Sequence, residues 1–452
     1  MRPPLNPPAV VSLVHLGCAR NLIDSELILG RLADEGLVIA GDPDLADTVV
    51  LNTCSFIGPA RAESEGAIRK LLKRKQRGEI ARVVVAGCLV QRYKHALEKR
   101  FPGVDIFAEI SDGKELARSI RDLTQGKSVP RYLESGGLRE ATRDGARLLS
   151  TPKSYAYLRI SHGCDHTCSF CAIPAIRGPH RSKRPDAVLD EARELIDAGV
   201  RELVLVAEDS TAWGRDMGLE LPSLVEALAE LDGPHRLRVM YAYPNRFPWE
   251  LTRLLREHPR VVKYLDIPVQ HISTAVLRAM RRAGSGDQVR RILDRLREEV
   301  PGITLRTTLL VGFPGESDHD AEELVRFVRE YQFGRLGAFT YSPEEGTSGF
   351  ELEGAVANAE ATRRHRAVLA ARDAVLRASQ TELIGSELEV VVDEAATAHN
   401  AAAVARTEMD APEVDMLTRI EGCQAAVGER VRVKVLALDD EANLIAAVVG
   451  SR

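Results

Sequence analysis

Two periodicities alternate along most of the chain. Short apolar runs, "VVSLVHLG" from residue 10, then "TVVLNTC", "ARVVVAGC" and "VDIFAE", read as buried strands, and "DSELILGRLADEG" and "PARAESEGAIRKLLKRK" between them place apolar residues at helical spacing. This β-α-β-α-β rhythm predicts a parallel sheet with helices on its faces over residues 11–130, with Asp24 or Ser25 as the cap of the first helix. The proline-rich residues 1–10 are expected to form a disordered tail, and residues 131–154, polar, glycine-bearing and without a period, a linker. From "YAYLRIS" the alternation resumes through "RELVLVAE", "HRLRVMYAY", "VVKYLDIPV", "ITLRTTLLVGF" and "RLGAFTYS". Six strand-helix units over 155–384 predict a partial (β/α)6 barrel. A helical pattern over about 355–384 ends this region; then "SELEVVVDE", "AAAVARTE", "ERVRVKVLALDD" and "NLIAAVVG" alternate with period two and no intervening helix. Residues 385–452 are therefore expected to form a small all-β barrel.

Composition narrows the class. At 452 residues and 44% hydrophobic content the chain supports several buried cores, and a net charge of −5 favours neither nucleic acid nor membrane as a partner. It has no uninterrupted apolar stretch of about 18 residues and no signal-peptide pattern, so a cytoplasmic protein is expected. The seven cysteines are odd in number and are not spaced as a disulfide scaffold, which favours reduced thiols acting as metal ligands.

Their placement is more informative. "SHGCDHTCSFCAIP" puts Cys164, Cys168 and Cys171 in the loop after the first barrel strand, at the face where β/α barrels carry their chemistry. A structural zinc site needs a fourth ligand, for which His162, His166 and His180 are available. A [4Fe-4S] cluster on three thiolates instead leaves one iron open to a substrate or cofactor, and Phe170 before the third cysteine can shield it from water. Cys18, Cys54 and Cys88 each stand directly after a predicted strand, 36 and 34 residues apart. The carboxyl ends of successive parallel strands share one edge, so these three thiols are expected to converge on a second open cluster. Cys423 has no cysteine near it in sequence and reads as an ordinary thiol.

The C-x3-C-x2-C run with its preceding aromatic resembles the signature of the radical S-adenosylmethionine superfamily, whose open iron binds the amino and carboxylate groups of S-adenosylmethionine and whose reduced cluster splits it to a 5'-deoxyadenosyl radical. With the N-terminal cysteines and a C-terminal barrel of the TRAM type, nearly the whole chain resembles the methylthiotransferases. The resemblance implies two [4Fe-4S] clusters, S-adenosylmethionine as radical source and methyl donor, and an electron donor and sulfur source that no motif identifies. For S-adenosylmethionine it points to Phe170, to Glu208 and Asp209 in "VAEDS", and to Gly312 in "VGFPGES".

Two branches of that family differ in substrate: an adenosine of transfer RNA (MiaB type), or an aspartate of the twelfth small-subunit ribosomal protein, free or in the ribosome (RimO type). "GCARNLIDSE", "AGCLVQRY", "YLDIPVQHIS", "AMRRAGS", "FTYSPEEGT" and "RTEMDAPEVD" resemble the ribosomal-protein branch, and Ala19 and Arg20 stand where the transfer-RNA branch has a glutamine and methionine-like pair. Charge agrees: residues 381–452 hold fourteen acidic against six basic side chains, which suits a basic ribosomal protein better than phosphate. The alternating basic residues of "ERVRVK" are the counter-signal. Arg177 and Arg306 are the candidate cations for the substrate carboxylate. A zinc protein that binds a ribosomal partner without catalysis is the rival from another class.

Overall fold

The structure is a computed structural model that describes residues 9–135, 144–145, 147–282, 284–397 and 401–450. Most of the expected N-terminal tail and part of the expected linker, residues 1–8, 136–143 and 146, lie outside the described residues. Two compact units are present: residues 1–150 with 162–165 and 171–181, and residues 151–161, 166–170 and 182–452. Among the described residues no helix is long and apolar enough to cross a membrane.

The first unit is a six-stranded parallel sheet of β1 (Val10–His15), β2 (Val38–Ala40), β3 (Thr48–Thr53), β4 (Arg82–Gly87), β5 (Ile106–Ala108) and β6 (Tyr132–Leu133), in the order β2-β1-β3-β4-β5-β6. Alternation along each strand feeds two cores. Val49, Leu51, Val83, Val85 and Phe107 pack with Ile68 and Leu71 of α2 (Gly58–Gln76), while Val11, Val50, Val84 and Ile106 pack with Ile28 and Leu32 of α1 (Ala19–Asp34). A parallel sheet buried on both faces needs such continuous apolar strands. The short β2 lies outside β1, so β1 pairs directly with β3, and β3 with β4. The chain direction across the sheet thus reverses between β1 and β3, the kind of switch point outside which open α/β sheets bind ligands.

Helix α1 starts earlier than its sequence suggests. Cys18 occupies the N-cap, and Asp24 and Ser25 sit inside the helix and are buried, so the expected cap at Asp24 or Ser25 is corrected. Two short helices complete the parts of this unit that matter below, α3 (Cys88–Tyr93) and α4 (Ile173–Arg177).

The second unit holds a parallel sheet of β7 (Ala156–Arg159), β8 (Glu202–Val206), β9 (Arg236–Val239), β10 (Val261–Asp266), β11 (Thr304–Val311) and β12 (Leu336–Thr340), paired in sequential order without closing. This is the partial barrel expected. Helix α5 (Asn358–Glu382) leads to a closed five-stranded barrel of β13 (Glu387–Glu394), β14 (Ala402–Thr407), β15 (Thr418–Glu421), β16 (Arg430–Leu438) and β17 (Leu444–Val448). Cys423 is buried in its core with Val390, Ala403 and Val433.

The "RTEMDAPEVD" stretch, residues 406–415, meets the parallel strands through buried polar contacts. Tyr155 and Tyr157 donate to the Glu413 carboxylate at 3.0 and 2.9 Å, Arg335 pairs with Asp410 at 2.9 Å, and Tyr264 donates to Asp415 at 2.5 Å. Glu202 accepts from Arg238 at 2.6 Å and pairs with Arg406 at 3.4 Å. Burial alone would raise the Glu202 pKa, but the Arg238 and Arg406 charges outweigh it and bring it down to about 2. One end of the sheet is thereby filled with satisfied charges, and the opposite, carboxyl ends carry the connecting loops of the chemistry-bearing face.

Candidate metal centres

The N-terminal cysteines are assembled by strand register. His15 of β1 lies opposite Asn52 of β3, and Asn52 opposite Ala86 of β4, so the three strands end almost level, with Cys54 and Cys88 directly after β3 and β4 and Cys18 three residues after β1. Cys18 caps α1, Cys88 opens α3, and Cys54 precedes α2.

Close backbone approach brings the thiols together. Gly17 has a φ of +110°, and a Cβ there would lie 2.9 Å from Cys54 Cβ and 3.2 Å from its Sγ; Gly87, at φ +95°, would meet Asn52 Oδ1 at 2.1 Å. Only glycine fits either position. The Cys54 amide donates to Ser64 Oγ, whose hydroxyl donates back to the Cys54 carbonyl, and Ser55 donates to the Cys88 carbonyl at 3.1 Å. Asn21 Nδ2 donates to the Leu16 carbonyl, and Asn52 Nδ2 to the Asn21 carbonyl and Ser25 Oγ. These buried amides lock the strand ends to α1.

The electrostatics of the three thiols differ. Burial opposes ionisation of Cys18, but the charges of Arg20 and Arg177 outweigh it and lower its pKa. Burial raises Cys54 and, against the Arg177 charge, pushes Cys88 up to about 11; each is raised further by its neighbouring cysteines. Buried thiols of this kind become thiolates beside a strong positive partner such as a metal.

Among the described residues, the one group of three ligating side chains whose atoms lie within 4.8 Å of one another is His319, Asp320 and Glu323.

The C-x3-C-x2-C residues have their own surroundings. Cys164 and Cys171 belong to the first unit and Cys168 to the second. Gly163, at φ +70°, leaves no room for a Cβ, which would lie 2.1 Å from the Pro179 carbonyl oxygen, and the Cys164 amide donates to the Gly178 carbonyl. In the second unit, Arg282 donates to Cys168 Sγ at 3.8 Å and lies 4.0 Å from the Tyr243 ring centroid. His166 stacks on Tyr243 at 3.7 Å and pairs with Asp209 at 2.7 Å. Phe170 packs with Val276, Met280, Leu310 and Phe313.

Several sequence candidates have structural partners. Asp209 accepts from His166 and from the Thr211 amide and hydroxyl; burial would raise its pKa, and these donors lower it instead. A Cβ on Gly312 would lie 2.6 Å from Ala361 Cβ on α5, and its amide donates to Glu316. Glu208 lies two residues beyond β8 and is half-buried. Arg177 donates to Asp24, to Asn21 Oδ1 and to Cys88 Sγ. Arg306, in the N-terminal half of β11, pairs with Asp266, the last residue of β10, at 3.1 Å and with Asp415 at 3.3 Å. Both arginines are thus paired with buried carboxylates. Arg282, in "AMRRAGS", is a cysteine partner with no local signal in the sequence, because Cys168 lies 114 positions away.

Three family models match the chain: the Radical SAM superfamily over residues 158–328, Uncharacterized protein family UPF0004 over 10–109, and the TRAM domain over 384–449. Curated relatives match almost end to end. "Ribosomal protein uS12 methylthiotransferase RimO" of Trichlorobacter lovleyi is 40% identical over 97% of this chain and 98% of its own; that of Geobacter sulfurreducens is 39% identical over 94% and 95%. Among solved structures, the radical S-adenosylmethionine methyltransferase TsrM from Kitasatospora setae superposes with a TM-score of 0.55 at 17% identity, covering 76% of this chain and 75% of its own, a likeness of fold. The chain belongs to the RimO family and is a radical S-adenosylmethionine methylthiotransferase.

Proposed function

We propose that this enzyme transfers a methylthio group to the β-carbon of an aspartate in ribosomal protein uS12, in the cytoplasm, using two [4Fe-4S] clusters. The observation that carries the reading is the convergence of Cys18, Cys54 and Cys88 at one sheet edge. The curated relatives support it, since their names specify uS12 methylthiotransferases. In this reading, Cys164, Cys168 and Cys171 would hold one [4Fe-4S] cluster, which would supply the electron for reductive cleavage of S-adenosylmethionine, and Cys18, Cys54 and Cys88 would hold a second, which would supply a site for the sulfur.

The remaining residues bind, orient and exclude water. Phe170, packed on Met280 and Phe313, keeps solvent from the sulfur side of the loop. Asp209 fixes His166, which is flat on Tyr243, so the loop between Cys164 and Cys168 is held from one side. Glu208 remains the candidate for the amino group of S-adenosylmethionine, while Asp209 and Gly312 act through the loop and turn they stabilise.

Charge favours a protein substrate over transfer RNA. The basic stripe of β16, Arg430, Arg432 and Lys434, is matched across the strand pair by acids on β13: Lys434 lies opposite Glu387, Arg432 opposite Glu389, and Arg430 bonds Glu389 at 3.1 Å. Cross-strand pairs of this kind neutralise the stripe, so it does not offer phosphates an uncompensated face.

The test is anaerobic iron and sulfide analysis, followed by mass spectrometry of uS12 incubated with enzyme, S-adenosylmethionine and reductant. About eight irons per chain and a gain of about 46 mass units on one aspartate are expected. Zinc without an adduct, or an adduct on transfer RNA instead, would overturn the reading.

A further inference from the structure

Arg177 is six residues beyond Cys171, yet it folds into the N-terminal cysteine site. Its side chain is 4% exposed, with Nη1 2.7 Å from Asp24 Oδ2. Nη2 donates to Cys88 Sγ at 3.3 Å and to Asn21 Oδ1 at 3.4 Å. The helix that carries it, α4, is seated by an apolar contact of Ala172 and Ile176 with Cys88 itself. The guanidinium therefore bridges α1, which starts at Cys18, and α3, which starts at Cys88.

We infer that Arg177 is a positioning residue of the N-terminal cluster site: Asp24 orients its fork so that one N–H points at the Cys88 sulfur, holding that ligand and stabilising negative charge on the cluster. The inference rests on the cluster assignment proposed above. Asp24 fixes one edge of the planar group, and a fork so fixed keeps its other donor aimed. Hydrogen bonds to cluster sulfurs and the local net charge set how readily a cluster accepts an electron. An N–H donor and positive charge at Cys88 favour the reduced state, and the Asp24 carboxylate opposes it.

This assigns opposite signs to two partners of one ion pair, which a purely structural salt bridge would not. The experiment uses the full-length chain carrying Cys168→Ala, so that the N-terminal cluster is read alone, with redox titration followed by electron paramagnetic resonance. Arg177→Gln is expected to move the midpoint potential negative and to change the spectrum of the reduced cluster. Asp24→Asn is expected to move the potential positive. Both should lower the melting temperature, because both break the buried pair. Equal potentials in all three proteins, with the melting temperature lowered, would reduce Arg177 to a structural residue and overturn the inference. If Arg177→Gln loses its iron, Arg177→Lys and Asp24→Asn decide by the same sign rule: Lys keeps the charge but not the fork, so a small negative shift is expected, and none would overturn the assignment. A parent holding no iron would overturn the cluster reading and this inference with it, whereas a parent with about four irons whose potential ignores Arg177 and Asp24 overturns the inference alone.

Discussion

Cys164, Cys168 and Cys171 lie within eight residues of one loop, whereas Cys18, Cys54 and Cys88 come from three strand ends 36 and 34 residues apart. The first triplet owes its closeness to chain connectivity. The second owes it to the register of β1, β3 and β4, and to the small β2 being placed outside β1 so that the three strands are neighbours. Each site adds a device that sequence spacing does not show: an arginine directed at one sulfur, Arg177 at Cys88 and Arg282 at Cys168. Each also depends on Gly-Cys pairs, Gly17–Cys18, Gly87–Cys88 and Gly163–Cys164, in which the glycine takes a positive φ and permits a contact closer than any side chain allows. A locally encoded site tolerates strain in a distant sheet; a register-encoded one should not.

The largest expected effects separate the two sites directly. Cys168→Ala should abolish S-adenosylmethionine cleavage while leaving about four irons at the N-terminal site. Cys54→Ala should spare cleavage but stop methylthio transfer, as read by 5'-deoxyadenosine formation against mass gain on uS12. Full transfer by both variants would end the two-site comparison. Next in size is Arg306→Ala. It leaves Asp266 and Asp415 buried without their cation, at a cost of about 3–5 kcal/mol to the second unit, and calorimetry should show this with N-terminal iron unchanged. Gly87→Ala sharpens the contrast further. A Cβ 2.1 Å from Asn52 Oδ1 and a φ of +95° imply about 1–3 kcal/mol of backbone strain on top of the clash. Iron should be lost from the N-terminal site and retained at the C-x3-C-x2-C loop, with Gly163→Ala giving the reverse.

The smallest effect lies at the end of the second sheet away from the cysteine loop. Glu202 falls from an ordinary value near 4.5 to about 2 because Arg238 and Arg406 outweigh its burial. A folded pKa below the unfolded one gives stability that is full above pH 4.5 and is lost as pH falls toward 2. Arg238→Gln should shift acid unfolding, followed by circular dichroism, to higher pH without altering iron at either cysteine site.

Much of this was legible in the chain. The strand-helix rhythm gave both parallel sheets and the alternating tail gave the closed barrel, because burial on one or two faces writes its period into the sequence. The cap of α1 was misplaced because Asp24 and Ser25 look like cap residues, whereas Cys18 takes that position and Asp24 instead receives Arg177. For Arg177 and Arg306 the sequence shows a charge without its counter-charge. Asp24 is 153 positions from Arg177, and Asp415 lies in the barrel segment. The basic stripe of β16 looked like a phosphate face until its register against β13 supplied the acids.

By itself the sequence determined the ligand chemistry: thiols in C-x3-C-x2-C spacing and after strand ends, with glycine before three of the six. Those are local facts, fixed by covalent order and strand period. Only the tertiary structure decided that β2 steps aside, that Cys18, Cys54 and Cys88 share an edge, and which acid or sulfur each buried arginine meets. Such pairings depend on sheet order and on burial, which sets how strongly charges act on one another. Neither is carried by any short stretch of chain.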